Sequence, residues 1–311
     1  MRTLSRQATI LHSTLALSSV FLPPLPSSAQ EPTAEQVAVA KRAFQAFDAK
    51  QLPLADALFT QTIDAWRELD RGVEEMTALL VARAGVRTDL TAFVDAKRDL
   101  DEAILLMSRS GEAFNGMARY REYPDAFVQR GLAREGLRDW AGAVADYDKA
   151  VQLWGGTGDG VNPFALSYRG RARAETGDYE GALEDFSTAA NVFARVDKND
   201  NQAAAARSNM AVTLYGLGRK DEAVKIAKQV ITRTPGFTDL HVMLAADSWD
   251  RGDRTYALQR WEFACSNISS GCKAYRDVAP GGWLEEVRRW PPNLVQLQRN
   301  FLAKTPAVPV E

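Results

Sequence analysis

Residues 170–189 read Gly170-Arg171-Ala172-Arg173-Ala174-Glu175-Thr176-Gly177-Asp178-Tyr179-Glu180-Gly181-Ala182-Leu183-Glu184-Asp185-Phe186-Ser187-Thr188-Ala189. Helix positions i, i+4 and i+7 share one face, so Ala182, Phe186 and Ala189 form a small, large, small stripe on the second helix of a pair. Gly170, on the first helix, faces that stripe. Without a bulky side chain there, two helix axes approach to about 8–10 Å and the aromatic ring fills the groove between them. Gly177 stands between the two helices, where glycine takes the left-handed conformation that closes a helix end.

The same ruler fits elsewhere in the chain: a small residue, another twelve positions on, a large residue four later and a small one three later still. Gly131, Ala143, Tyr147 and Ala150 obey it, as do Ala245, Ala257, Trp261 and Ala264. A weaker copy, Ala211, Ala223, Ala227 and Val230, keeps the spacing and loses the ring. Toward the N-terminus come Ala84, Ala96, Leu100 and Ala103, then Ala43, Ala55, Phe59 and Thr62. Successive anchors stand 41, 47, 39, 41 and 34 residues apart, which describes a helical repeat with variable linkers. Gly218-Arg219-Lys220-Asp221 and Gly252-Asp253-Arg254 repeat the turn, and Pro235-Gly236 stops a second helix because proline cannot continue the backbone ladder. In residues 36–107 the turn glycine is missing, and Leu52-Pro53-Leu54 is expected to occupy the first turn.

These blocks resemble the tetratricopeptide repeat (TPR) family. The likeness is strongest over Asp125–Leu153, Pro163–Val192, Ala204–Pro235 and Thr238–Cys265, with Gly177-Asp178-Tyr179-Glu180-Gly181-Ala182 as the turn signature. It implies an all-α fold, a right-handed superhelix of antiparallel helix pairs with the first helices lining a concave face, and binding of protein segments rather than catalysis. The expected organisation is a cleaved segment 1–29, a linker 30–35, about six helix pairs over 36–270 (best at 124–154, 163–193, 204–235 and 238–266), a C-terminal cap 271–304 and a disordered tail 305–311. A solenoid exposes an apolar end that a terminal unit must cover. Trp283, Val287, Trp290, Leu294, Leu297 and Phe301 supply the apolar side chains of that cap, on one helix broken by Pro291-Pro292 or on two short ones.

The composition agrees with a folded soluble protein. Of 311 residues 46% are hydrophobic and 25% charged, which excludes wholesale disorder. With 38 basic and 40 acidic side chains the net charge is -2, so no global field draws the chain to nucleic acid or an anionic membrane. Residues 1–29 carry Arg2, Arg6, six serines, no acidic residue and an apolar run broken by Pro23, Pro24 and Pro26. That run is shorter than the roughly 20 residues of a membrane span. Ser27-Ser28-Ala29 supplies the small residues of a cleavage site, which makes 1–29 an export signal, with an organelle transit peptide as the alternative. Its removal brings the net charge to about -4.

A closer similarity, to plastid TPR proteins of plants and algae including lumenal ones, rests on Val196–Met210 with Ala203–Ala206, Leu214-Tyr215-Gly216-Leu217-Gly218, Thr234-Pro235-Gly236-Phe237 and Arg288-Arg289-Trp290-Pro291-Pro292. It implies a thylakoid-lumen or thylakoid-surface protein that helps photosynthetic complexes assemble, peripheral to the membrane and without an integral span. Lumenal proteins carry a two-part presequence, of which residues 1–29 match only the export half. A periplasmic or secreted scaffold is the other compartment reading.

Motifs with chemical potential are few. Gly155-Gly156-Thr157-Gly158-Asp159-Gly160 imitates a phosphate loop, but it follows a helix and has no Lys, so it is expected to be a flexible connector. Outside the segment 1–29 only His241, Cys265 and Cys272 remain as soft ligands, too few for a structural zinc site, and no cofactor or metal is expected. In an oxidising compartment Cys265 and Cys272 can close a small loop as a disulfide. Asn267-Ile268-Ser269 is a glycosylation acceptor only in a secretory route. Arg169, Arg171 and Arg173 alternate on a first helix, and Glu175, Asp178 and Glu180 are expected to neutralise them on a solvated face.

His241 is expected to be a partly buried helix residue without a catalytic partner. By TPR spacing the first-helix residues facing a ligand are Arg171, Ser208, Tyr215, Asp239, Val242 and Trp249, with the aromatics and Arg as hot spots. The Lys and Asn pattern that grips a C-terminal carboxylate in chaperone-binding TPR proteins is absent at the matching positions. The favoured function is a non-enzymatic protein-binding scaffold. The alternative, a hydrolase using groove carboxylates, requires a deep pocket with two converging carboxylates of raised pKa.

Overall fold

The computed structural model describes residues 30–109, 117–158 and 160–305; the export segment 1–29, most of the tail and Asp159 of the glycine loop lie outside the described residues. Every regular element among the described residues is helical. The chain divides into two compact units, one ending at Trp154 and the other starting at Gly155, the first residue of the glycine loop. The first unit contains three antiparallel pairs: α1 (Ala34–Asp48) with α2 (Leu52–Glu68), α3 (Val73–Asp89) with α4 (Phe93–Arg109), and α5 (Met117–Gly136) with α6 (Trp140–Leu153). The second contains α7 (Pro163–Glu175) with α8 (Tyr179–Arg195), α9 (Asp200–Gly216) with α10 (Lys220–Arg233), and α11 (Thr238–Asp250) with α12 (Arg254–Glu262). A π turn (Phe263–Asn267), a 3-10 turn (Lys273–Arg276), α13 (Trp283–Glu286) and α14 (Pro292–Lys304) follow.

Each pair is seated at its anchor. At Gly131 an added Cβ would lie 2.5 Å from Cε1 of Tyr147, and at Gly170 3.0 Å from Cε1 of Phe186. The ring therefore rests on the backbone of the partner helix. Ala43, Ala84, Ala211 and Ala245 do the same duty with a methyl group, and all four are buried. The stripe residues behind them, including Ala143, Tyr147, Ala150, Ala182, Phe186, Ala189, Ala257, Trp261 and Ala264, are buried as well.

Seven residues after every anchor the chain turns through a left-handed residue: Lys50 (φ 58°), Thr91 (60°), Arg138 (61°), Gly177 (86°), Gly218 (75°) and Gly252 (90°). In the first pair the turn is thus Ala49-Lys50-Gln51, and Leu52-Pro53-Leu54 opens α2 with proline in its first turn. The expectation that Leu52-Pro53-Leu54 forms the turn is corrected: a side-chain-bearing residue holds the left-handed position at a cost of roughly 1–2 kcal/mol, and proline's fixed φ suits the start of a helix. After Arg138, Gly177 and Gly252 comes an aspartate, and Asp139, Asp178 and Asp253 cap the second helices by accepting from the N–H of Gly142, Gly181 and Tyr256.

Three pairs carry a buried fork. Arg83 holds Asp99 at 2.9 and 2.7 Å, Arg130 holds Asp146 at 3.0 and 2.6 Å, and Arg169 holds Asp185 at 2.9 and 2.6 Å. A second arginine four residues on, Arg87, Arg134 or Arg173, reaches the same carboxylate. Each aspartate is 2% exposed. The reading of Arg169 and Arg173 as solvated and neutralised by Glu175, Asp178 and Glu180 is therefore corrected. Asp185 on the facing helix is the principal partner, and Arg173 keeps only a long 3.7 Å contact to Asp178. In the fourth TPR-spaced pair of anchors, Ala211 and Ala223, the equivalent positions hold Met210, Leu214 and Ile226, and apolar packing replaces the ions.

The two glycine anchors yield a graded prediction. Gly→Ala gains up to about 1 kcal/mol of helix propensity, and overpacking costs typically ~1–3 kcal/mol. Gly131→Ala, with the 2.5 Å clash, is expected to lower the urea midpoint, whereas Gly170→Ala, at 3.0 Å, leaves it nearly unchanged. Equal effects in the two variants contradict this account of the anchors.

Candidate partner-binding site

The first-helix face of the second unit is built by α9 and α11, and it is occupied. α14 lies against both helices, burying Trp290, Leu294, Val295, Leu297 and Phe301. Phe301 meets Trp249 and Trp261 edge-on, with centroids 5.6 and 5.4 Å apart. Asn293 donates through Nδ2 to the carbonyl of Tyr215 at 2.7 Å, and Pro291 packs where a side chain on Gly216 would stand. Arg288 pairs with Asp239 and donates to Asn209 at 3.3 Å. The Tyr275 hydroxyl donates to Asp239 at 2.7 Å, and the Tyr275 ring stacks edgewise on Trp283 at 5.0 Å. Burial, helped by Asp239, pushes the Tyr275 phenol far above its ordinary range.

Every residue selected by spacing as ligand-facing lies in or beside this assembly, but as part of the fold. Ser208 (3% exposed), Tyr215 (1%) and Val242 (0%) are buried, so their expected role as an open contact surface is corrected. The Tyr215 hydroxyl donates to Asp247 at 3.1 Å, and burial followed by Asp247 drives that phenol upward too. Asp239 is engaged by Arg288 and Tyr275. Trp249 is half-buried, with Arg254 4.0 Å over its ring, and Arg171 is half-buried with its guanidinium 4.9 Å from the Tyr168 ring. The expected end cap is corrected in the same way. The segment forms two helices, Val287 is 62% exposed, and the rest lies across first helices while Phe301 alone reaches both Trp249 and Trp261.

Cys265 and Cys272 are disulfide-bonded, with Cα atoms 4.5 Å apart. The π turn carries Cys265 away from the helix, and Ser270 in the closed loop sits 2.8 Å from the Thr238 hydroxyl at the start of α11. Asn267-Ile268-Ser269 lies in this loop with Asn267 and Ser269 exposed.

His241 is buried, stacks on Phe263 at 4.5 Å and places Nε2 2.9 Å from the carbonyl of Pro235. A carbonyl only accepts, so the neutral tautomer with hydrogen on Nε2 fits, and Nδ1 is buried without a hydrogen-bond partner. Burial lowers the imidazole pKa against the Pro235 bond, and the charge of Arg260 lowers it further.

The largest open cleft among the described residues, about 470 Å³, runs from the turn after α9 to the end of α11 and is lined by Arg219, Asp221, Glu222, Asp247, Asp250 and Arg251. Arg251 holds Asp247 at 2.8 Å and Asp221 at 2.7 Å, and the hydrogen bond from Arg219 keeps Glu222 below the usual carboxylate range. Asp101, despite burial pushing it up, is held low by Lys97 and Arg130, and Glu285 is held low by the Gly281 N–H and Arg299. These displacements run opposite to those of a general acid. Among the described residues no group of three or more His, Cys, Asp and Glu side chains converges in metal-binding fashion, and no helix is long and apolar enough to cross a membrane.

Residues 162–235 match the tetratricopeptide repeat family model. The fold is of TPR type throughout the described pairs. A tetratricopeptide repeat protein from Parabacteroides merdae superposes with a TM-score of 0.59 at 15% identity, covering 89% of this chain and 95% of that one. A kinesin light chain of nearly identical TPR-like repeats from Podosopora anserina gives 0.55 at 14% identity over 65% of this chain and 96% of its own. The apo form of RapI gives 0.52 at 12% identity over 75% and 82%. No curated protein sequence matches the chain.

Sequence reasoning missed Arg288, Asn293 and Asn209, because contacts 77 or more residues apart leave no local pattern. It also missed the forks, although their signal is present: arginines immediately before and three after the anchor, and an aspartate fifteen after it.

His241 gives this face a pH signature. Because its folded pKa lies below the unfolded value of about 6.5, the unfolded chain binds the proton first as pH falls, so stability declines below that value and is fully present above it. Urea midpoints measured at pH 7.5 and 5.5 are expected to differ less in His241→Phe than in the wild type; an undiminished difference assigns the acid sensitivity elsewhere.

Proposed function

We propose that the protein is a non-enzymatic scaffold that binds a segment of another protein on its helical faces. The observation that carries this reading is the array of six TPR-type helix pairs, one stretch of which matches the family model. Such arrays present long helical surfaces to partners. In the second unit the first-helix face is covered by residues 273–304 of the same chain, so partner contact there falls to the faces left open. The reading involves no nucleic acid, and the net charge of -2 supports that choice.

The finer reading is an assembly or maintenance factor for photosynthetic complexes, in a plastid and within or against the thylakoid lumen. Its support is the similarity of the alanine run, the Leu214–Gly218 turn and the Arg288–Pro292 stretch to plastid TPR proteins. The Cys265–Cys272 bond favours an oxidising compartment, a condition that the lumen shares with the periplasm and the secretory route.

Chain starting at Gln30, immobilised and crosslinked in native extract, is expected to recover the same partner proteins in replicate mass-spectrometric experiments, with crosslinks on helix faces. Recovery of no reproducible partner overturns the scaffold reading. Imaging of the tagged full-length protein is expected to place it in the plastid; a periplasmic or extracellular signal moves the same scaffold to the other compartment.

A further inference from the structure

On the outer side of the second unit, cations and rings alternate from the surface inward. Lys228 Nζ of α10 lies 5.3 Å from the Tyr256 ring centroid, and the Arg260 guanidinium carbon lies 5.3 Å from the same centroid. Arg260 also stands 5.5 Å from the Phe263 ring, which stacks on buried His241. Tyr256 and Arg260 are four residues apart on α12 and therefore share a face.

The charge state of this ladder is unusual for the molecule. Most arginines of the helix pairs grip a carboxylate, as in the three forks. Among the described residues neither Lys228 nor Arg260 has a carboxylate within ion-pair distance, and Arg260 Nε is buried with no acceptor. Two cations converge on one half-buried ring, and one guanidinium hydrogen lacks an acceptor. An external anion can supply both a counter-charge and that missing bond.

We propose that Lys228, Tyr256 and Arg260 form a docking site for an acidic segment of a partner protein, with a partner carboxylate held between the two cations over the Tyr256 ring. The proposal deepens the scaffold reading by giving the partner its chemistry. Two cations are too few for nucleic acid, whose sequence-independent affinity grows with the number of phosphates neutralised. The surface also belongs to a chain of net charge -2, which supplies no wider attraction to an anionic membrane. A carboxylate beside hydrophobic neighbours matches a site that offers two positive groups and an aromatic face.

His241 reports occupancy. Arg260 depresses its pKa, so an anion seated on Arg260 offsets that repulsion and raises it. The test uses the intact disulfide-bonded protein, with the His241 ring followed by NMR across pH. The probes are blocked hexaglutamate, hexaglutamine and inorganic phosphate at equal concentration.

Hexaglutamate is expected to raise the His241 pKa, while hexaglutamine and phosphate leave it in place. Lys228→Gln and Arg260→Gln are each expected to weaken hexaglutamate binding about 2- to 5-fold, the scale of an exposed ion pair. Lys228 is exposed on α10, so its variant keeps the test open if Arg260→Gln disturbs the packing of Phe263. An unmoved His241, undiminished binding to the double variant, or an equal shift with phosphate overturns the proposal. Such a failure leaves the scaffold reading standing, because that reading is judged on native partners and on every face of the chain.

Discussion

The arrangement depends on what is missing at position 131 or 170. Where the first helix has no side chain, or only a methyl group, the large residue of the second helix lies against its backbone, and the axes come close enough for side chains on either flank of the anchor to reach across. The forks exploit that approach. Arg169, next to Gly170, reaches Asp185, next to Phe186, because ring and glycine have already fixed the register. Charges buried in this way are costly to desolvate, and their mutual attraction offsets the cost only when geometry is good and all lone pairs are served. Here each aspartate receives two bonds from one arginine and a further contact from the next. The forks therefore enforce register more than they add stability, and Met210, Leu214 and Ile226 do the packing without them in a neighbouring pair.

The C-terminal segment answers to a second magnitude. Tyr275, Leu284, Trp290, Leu294, Val295, Leu297 and Phe301 are all buried, and burying one large apolar side chain is worth about 1.5–3 kcal/mol. Seven of them, even after allowance for chain ordering, exceed the roughly 8 kcal/mol that a micromolar partner gains on binding. A peptide cannot displace such a segment and leave the unit stable. Residues 273–304 are therefore part of the core of the second unit, and the Arg288–Asp239 pair and the Cys265–Cys272 bond position them there.

The helix pairs were legible in sequence because their determinants are local and periodic: an anchor, a turn seven residues on, and a stripe twelve to nineteen residues on. The turns of the early pairs escaped notice only because Lys50 and Thr91 adopt the backbone conformation usually assigned to glycine. The site was less legible. Spacing picked out the correct faces of α9 and α11, since period is all that a face requires, but nothing in that period says what covers the face. Coverage is decided by Trp290, Asn293 and Phe301, whose contacts span tens of residues. The apolar character of 283–301 showed that it must pack somewhere; the location followed from hydrogen bonds to Tyr215, Asp239 and Asn209 that no local pattern encodes.

Coverage of one face gives meaning to the other. The π turn at Phe263–Asn267 follows α12 while Ala264 remains in the buried stripe. Within five residues it supplies Phe263 to the stack on His241 and Cys265 to the disulfide. The inner face, closed by the disulfide-tethered segment, and the outer ladder of Phe263, Arg260, Tyr256 and Lys228 are thus joined through one short element. Rigid burial behind Arg260 limits the orientations open to its guanidinium, and a pre-oriented planar donor loses less freedom when it meets a carboxylate than a mobile one does. The same packing that removes the inner face from partner binding therefore prepares a charged group on the outer one.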